Sequence, residues 1–132
     1  MMIETAWIID DDDIYRYGFG KFVAHKSLCK NLFDFNSSTD AVNRIIKNIE
    51  LSALPDVIFM SADMKDESCW EFMAAFETLK TQLNFKKIAI YLLTSSINYQ
   101  DIEDSQNYSE ISDYIIKPID SQQFINAFEN FR

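Results

Sequence analysis

Four consecutive aspartates, Asp10 to Asp13, close the short apolar run "AWII" of a 132-residue chain. Adjacent like charges repel and Asp is a poor strand former, so the run marks either a wet loop capping a helix or a seat for something positive. Other polar residues follow apolar runs in the same way. Ser61 comes after "VIFM" with Asp63 two residues on, Thr94 after "YLL", and Lys117 after "DYII" and ahead of Pro118. Carboxylates hold Mg²⁺, while lysine and hydroxyl groups bond phosphate oxygens. Brought to one crevice, an acidic pair, a hydroxyl and a lysine outline a phosphoryl and divalent-cation site. Taken singly, each has a plainer explanation: a solvated loop, a helix cap, a turn. What decides is whether the elements that carry them meet.

Short β-type runs ("TAWII", "LFDF", "DVIFM", "IAIYLL" and "DYII") alternate with stretches of helical character. Asp13 is the expected N-cap of a first helix through "IYRYGFGKFVAHKSL", although Gly18 and Gly20, the only glycines, fall inside it. Ser37 or Ser38 caps a second through "AVNRIIKNIE". A third, "SCWEFMAAFETLKTQL", places Trp70, Met73, Phe76, Leu79 and Leu83 on one face. A fourth near "NYQDIEDSQN" is polar and should be short or mobile. The last begins at Asp120 with Gln123 as capping-box partner, and shows Phe124, Ala127, Phe128 and Phe131 as its stripe. Five strand–helix units in regular order predict an α/β fold, a doubly wound parallel sheet with helices on both faces. In such sheets the functional crevice lies at the carboxyl ends of the strands, which is where all these polar residues fall.

Composition narrows the function classes. With 48% hydrophobic and 14% aromatic residues the chain is expected to fold, as one domain spanning 1–132. A net charge of −9 with no basic cluster argues against nucleic acid as a partner. No apolar run approaches the length of a membrane span, and Glu4 stands where a secretory signal would be basic. A cytoplasmic protein with no membrane partner is expected. Cys29 and Cys69 lack CxxC spacing and His25 is the only histidine, which excludes the usual zinc sites. The thiols read as bystanders and His25 as a helix residue.

The order of motifs resembles the receiver domain of two-component response regulators over nearly the whole chain. "WIIDDDDIYR" is similar to that family's first strand and acidic pair, on Asp10 and Asp11. "PDVIFMSADM" and "WEFM" are similar to its third strand and helix, and "YLLTSS" to the segment carrying its Thr or Ser, here Thr94. "DYIIKPID" is similar to its last strand: Tyr114 falls on the aromatic switch position, Lys117 on the lysine, and Pro118 on the proline usually preceded by a cis bond. The resemblance implies a flavodoxin-like (βα)5 sheet in the order 2-1-3-4-5. It also implies contacts through the face of the fourth helix, fifth strand and fifth helix. Its partners would be signalling proteins, either a histidine kinase or a downstream effector. With nothing after residue 132, output is expected in trans.

At the third strand the pattern departs. Receivers place the phosphoryl-accepting aspartate after Pro-Asp and four apolar residues; here Pro55-Asp56 and Val57 to Met60 lead to Ser61. The family's Met-Pro reads Met64-Lys65 and its Asp-Gly reads Ser68-Cys69. Serine is neutral, a weak nucleophile without an adjacent base, and its phosphoester lacks the lability of an acyl phosphate. The resemblance therefore implies a phosphorylation-defective pseudo-receiver, not an enzyme. Asp63 is the obvious substitute acceptor, but in the family that position gives its backbone carbonyl to the metal and its side chain need not face the crevice. It reads better as a cation ligand. Two carboxylates ~4 Å apart cost on the order of 4 kcal/mol at an effective dielectric of 20, so losing one relieves repulsion. The pocket should bind Mg²⁺ weakly, through Asp10, Asp11 and Asp63, with Lys117 free to pair with Asp11.

The alternative from another class is a small Mg²⁺-dependent phosphatase of the haloacid dehalogenase type, with Asp10 or Asp11 as nucleophile. Against it, "DDDDIY" lacks that family's following Gly-Thr, and no late acidic pair is evident. A flavodoxin-like FMN binder is excluded by the acids standing where a phosphate loop would be.

Overall fold

The runs "AWII" and "VIFM" pair side by side and in the same direction, Ala6 opposite Val57, Ile8 opposite Phe59 and Ile9 opposite Met60. A computed structural model describes residues 3–47, 54–65, 68–83, 87–95, 103–117 and 121–129. The elements are β1 (Ile3–Ile9), α1 (Asp13–Lys26), β2 (Cys29–Phe35), α2 (Ser38–Lys47), β3 (Val57–Ser61), α3 (Cys69–Leu83), β4 (Ala89–Thr94), β5 (Ile111–Ile116) and α4 (Ser121–Glu129). All pairings are parallel and the strand order is 2-1-3-4-5, as the sequence predicts.

Side chains alternate across the sheet, and both faces are covered, which is why the central runs are apolar without interruption. Trp7, Ile9, Ile58, Met60, Ile90 and Leu92 pack with Ala41 and Ile45 of α2 and Phe72, Met73 and Phe76 of α3. On the other face Ala6, Ile8, Val57, Phe59 and Leu93 pack with Phe19 and Val23 of α1 and Ala127 and Phe128 of α4. Phe59 is the hub there, its ring 5.1 Å from Phe19, 5.2 Å from Phe128 and 5.6 Å from Tyr91.

Several local details differ from the sequence reading. The cap of α1 is Asp12, which accepts from the Ile14 and Tyr15 amides, and Asp13 is the first helical residue. Neither glycine breaks α1. Gly18 faces open space and Gly20 passes beside Leu32, and the packing of Phe19 and Val23 on the sheet outweighs the poor propensity of the glycines. The cap of α2 is Ser37, whose Oγ accepts from the Asp40 amide. At α3 a reciprocal cap went unpredicted: Ser68 Oγ accepts from the Trp70 amide while Glu71 accepts from the Ser68 amide. The buried face of α3 is wider than one stripe and adds Cys69 and Phe72, because the helix packs against both the sheet and α2. Trp70 stays half-buried and stacks on Tyr108. Strands β2 and β5 begin earlier than expected, at Cys29 and Ile111.

The fourth predicted helix is, among the described residues, a single turn at 103–105 closed by bonds from Gln106, Asn107 and Tyr108 to carbonyls three residues back. The Asp120 cap, the side chains of Gln123 and Phe124, Phe131, and the peptide before Pro118 lie outside the described residues. Among the described residues no helix is long and apolar enough to cross a membrane.

Parallel strands deliver their carboxyl ends to one edge. Bonds from Asp10 N to Phe35 O (3.0 Å), Ala62 N to Leu93 O (2.7 Å) and Lys117 N to Thr94 O (2.7 Å) tie those ends together.

Candidate functional site

The first residue after β1 turns inward. Asp10 is only 1% exposed, although nothing in its sequence neighbourhood hides it. Burying a carboxylate is costly unless it is paired, and this one is. Its Oδ2 accepts from Lys117 Nζ at 2.8 Å and its Oδ1 from the Asp12 amide at 3.0 Å.

The four aspartates therefore have four separate partners. Asp10 holds Lys117. Asp11 is exposed and accepts from the Lys65 amide at 2.9 Å, reaching the loop after β3. Asp12 caps α1. Asp13 pairs with Arg16 at 2.7 Å, and the same guanidinium donates to the Asp10 carbonyl and to Asp34. This clamp was missed at the sequence level, although Asp13 and Arg16 stand at the (i, i+3) spacing of a helical ion pair.

Lys117 sits at the centre. Besides Asp10, its Nζ lies 3.3 Å from Ser61 Oγ, 4.0 Å from Asp63 Oδ2 and 4.5 Å from the centroid of the Tyr15 ring. Burial and the nearby Asp10 push the Tyr15 hydroxyl well above its ordinary pKa. That hydroxyl is buried and has no hydrogen-bond partner among the described residues.

Ser61 is fully buried, and its Oγ accepts from the Asp63 amide at 3.0 Å. Asp63 then directs its carboxylate into the crevice: Oδ1 accepts the Thr94 hydroxyl at 3.0 Å and Oδ2 the Ser95 amide at 2.7 Å. The structure thus brings together Asp10, Ser61, Asp63, Thr94 and Lys117, with Asp11 on the rim. Asp10, Asp11, Asp63 and Lys117 border a cleft of about 630 Å³ that also takes in Ile14, Lys65 and Ser95, while Ser61 and Thr94 lie buried behind it. Tyr114 is not part of it. It lies opposite Leu92 on β5, half-buried against the cluster that contains Phe72 and Phe76.

One expectation is corrected. Lys117 pairs with Asp10 and not Asp11, because the first residue after the strand still points into the sheet edge while the second has turned outward. Asp63, for which the resemblance did not require it, faces the cleft.

Receiver-like folds imply a divalent cation, and the donor set can be tested against one. Both carboxylate oxygens of Asp10 and both of Asp63 are already bonded, one oxygen of Asp11 is bonded, and an ammonium lies between Asp10 and Asp63. Among the described residues no three acidic, histidine or cysteine side chains are arranged to hold a metal. The cleft in this arrangement does not fit Mg²⁺ as the Asp10, Asp11 and Asp63 reading required.

No protein-family model and no curated protein matches the chain. Solved structures do. A two-component response regulator from Cytophaga hutchinsonii is 20% identical with a TM-score of 0.86, covering 99% of this chain and 98% of its own. The chemotaxis protein CheY4 of Vibrio cholerae is 15% identical with a TM-score of 0.79 over 100% of both chains. A response regulator receiver protein from Dyadobacter fermentans is 19% identical with a TM-score of 0.78, covering 97% of each. At these identities the likeness establishes the fold, the flavodoxin-like α/β sheet of receiver proteins.

Proposed function

We propose that this chain is a receiver module of the two-component class that works through protein contacts and does not accept a phosphoryl group. The observation that carries this reading is Ser61. It ends β3, fully buried, and the sequence resemblance aligns it with the nucleophilic aspartate of receivers. Its hydroxyl oxygen is approached by two donors, the Asp63 amide and the Lys117 ammonium, and neither takes a proton from it. A serine becomes a nucleophile through an adjacent base, and both donors favour the oxygen as an acceptor instead.

Asp63 is no better placed as a substitute acceptor, since both its oxygens are engaged. Asp10 as the nucleophile of a phosphatase fits less well still, being 1% exposed and ion-paired. What remains is a stable scaffold whose output is recognition by a signalling protein, a histidine kinase or a downstream effector. The −9 charge supports a protein partner over nucleic acid, and the cytoplasm is the compartment this reading assigns. Tyr114 is half-buried against the core, so it offers such a partner only part of its side chain.

Intact-mass analysis after treatment with acetyl phosphate and Mg²⁺ tests the reading. The wild type should gain no phosphoryl group. An adduct mapped to Ser61 or Asp63 would return the chain to ordinary phosphotransfer.

A further inference from the structure

The Thr94 hydroxyl and the Lys117 ammonium are the phosphate-oxygen donors that the sequence resemblance implies; we propose that Asp63 is the built-in ligand of the seat they form with the Ser95 amide, and that it holds the cleft closed to external oxyanions. The inference deepens the reading above, and rests on it only in treating the resulting fixed arrangement as a signalling state.

The donors are of three kinds and come from the ends of two strands. A hydroxyl reaches Oδ1 at 3.0 Å, a backbone amide reaches Oδ2 at 2.7 Å, and an ammonium stands 4.0 Å from Oδ2. Oriented hydroxyl, amide and ammonium groups around one point are what stabilises an oxyanion. Hydrogen bonds to an ionised acceptor are shorter and about twice as strong as neutral ones, consistent with the short bond from Ser95.

The local charge makes the arrangement informative. Asp10 and Asp11 line the same cleft, so repulsion favours turning Asp63 out to water. A carboxylate two residues past a strand end is free to do so. It stays inside, and its side chain is only 32% exposed, so the three donors outweigh the two acids. The backbone is arranged for this outcome. Ser61 Oγ holds the Asp63 amide at 3.0 Å, which fixes the turn that aims the carboxylate at Thr94. Serine at the end of β3 thus removes one carboxylate from the cleft and positions another in its anion seat.

The consequence is a ligand-independent network. Asp63 fastens the loop after β3 to the end of β4, and the Thr94 carbonyl takes the amide of Lys117, the first residue past β5, at 2.7 Å. The three strand ends are joined with no external group.

The test vacates the seat and offers a carboxylate in solution. In Asp63→Ala, formate titrated against chloride at constant ionic strength should shift the Ser95 amide resonance saturably. It should bind at least about tenfold more tightly than to the wild type, the scale of one charge-assisted hydrogen bond. Adding Thr94→Val should weaken formate binding again. A folded Asp63→Ala protein that gives no saturable shift overturns the proposal, as does equal affinity in the wild type. Should Asp63→Ala fail to fold, hydrogen exchange on the wild type decides: a Ser95 amide protected relative to its Asp63→Asn counterpart supports the seat, and one that exchanges at the same rate overturns it. Formate binding is independent of phosphoryl transfer, so a failed seat and a failed receiver reading give different results.

Discussion

Lys117 Nζ and Asp10 Oδ2 meet at 2.8 Å across 107 residues of sequence, with Asp10 almost completely enclosed. The pair joins the end of the last strand to the end of the first across β3 and β4. Its two ends contribute unequally. Removing the ammonium leaves a carboxylate buried without a counter-charge, whereas removing both charges leaves none.

Lys117→Met should therefore destabilise the fold by about 3 kcal/mol, toward the lower end for breaking a buried pair. Combining it with Asp10→Asn should recover a large part of that loss. Urea denaturation of the two single variants and the double variant measures this. Additive losses would show that the pair is not coupled.

Alkaline pH should destabilise the protein in a particular window. Burial pushes the Cys29 thiol from 9.0 up to about 11, and burial also raises Tyr15 and Tyr91. A raised pKa in the folded state means that folding favours the neutral thiol and phenols. That contribution is complete below the unfolded value of each group and is lost as pH rises through the folded one. The melting temperature should hold steady up to about pH 9 and fall toward pH 11, the span between the two Cys29 values. Cys29→Ser should flatten part of the fall, and a curve unchanged by it would assign the window to the tyrosines.

The opposite window belongs to Glu110, which is buried and bonded to Lys80. Burial alone raises its pKa, but the Lys80 ammonium reverses this and holds the carboxyl below its ordinary 4.5. The contribution is thus present above the ordinary value and is lost as pH falls through the lower, folded one. Glu110→Gln should reduce the acid-side slope of stability while leaving the alkaline side alone, as thermal melts at stepped pH would show.

The architecture was legible because uninterrupted runs such as "VIFM" and "YLL" have only one use in a chain with helical stretches between them, as strands covered on both faces. The place of the cleft followed from topology. Its wiring did not. Asp12 and Asp13 are chemically equivalent as caps, and only backbone geometry selects Asp12. Asp10 and Asp11 are equally good partners for Lys117 on paper, and the pleat decides between them. The inward turn of Asp63 depends on a hydroxyl 31 residues away, which no local pattern records. Phe72 was missed because a stripe drawn at one helical period does not anticipate a helix packed on two neighbours.

Ser61→Asp isolates what the serine contributes. The new carboxylate would enter a fully buried position beside Lys117, whose ammonium already serves Asp10 and stands near Asp63. Three acids would then share one cation. Like charges about 4 Å apart cost on the order of 4 kcal/mol at an effective dielectric of 20, before side chains relax. The variant should therefore be less stable than the wild type in the absence of divalent ions. Mg²⁺ relieves that repulsion when it binds the folded form, and a ligand that binds only the folded form raises the melting temperature with its concentration. The variant should show a clear Mg²⁺-dependent rise and the wild type a much smaller one, because its acids are already bonded to protein donors. Differential scanning calorimetry with and without Mg²⁺, on both proteins, makes the comparison. Equal rises in the two would mean that the wild-type carboxylates release their donors readily, and that the bonds of Asp10 and Asp63 do not hold the cleft against a cation.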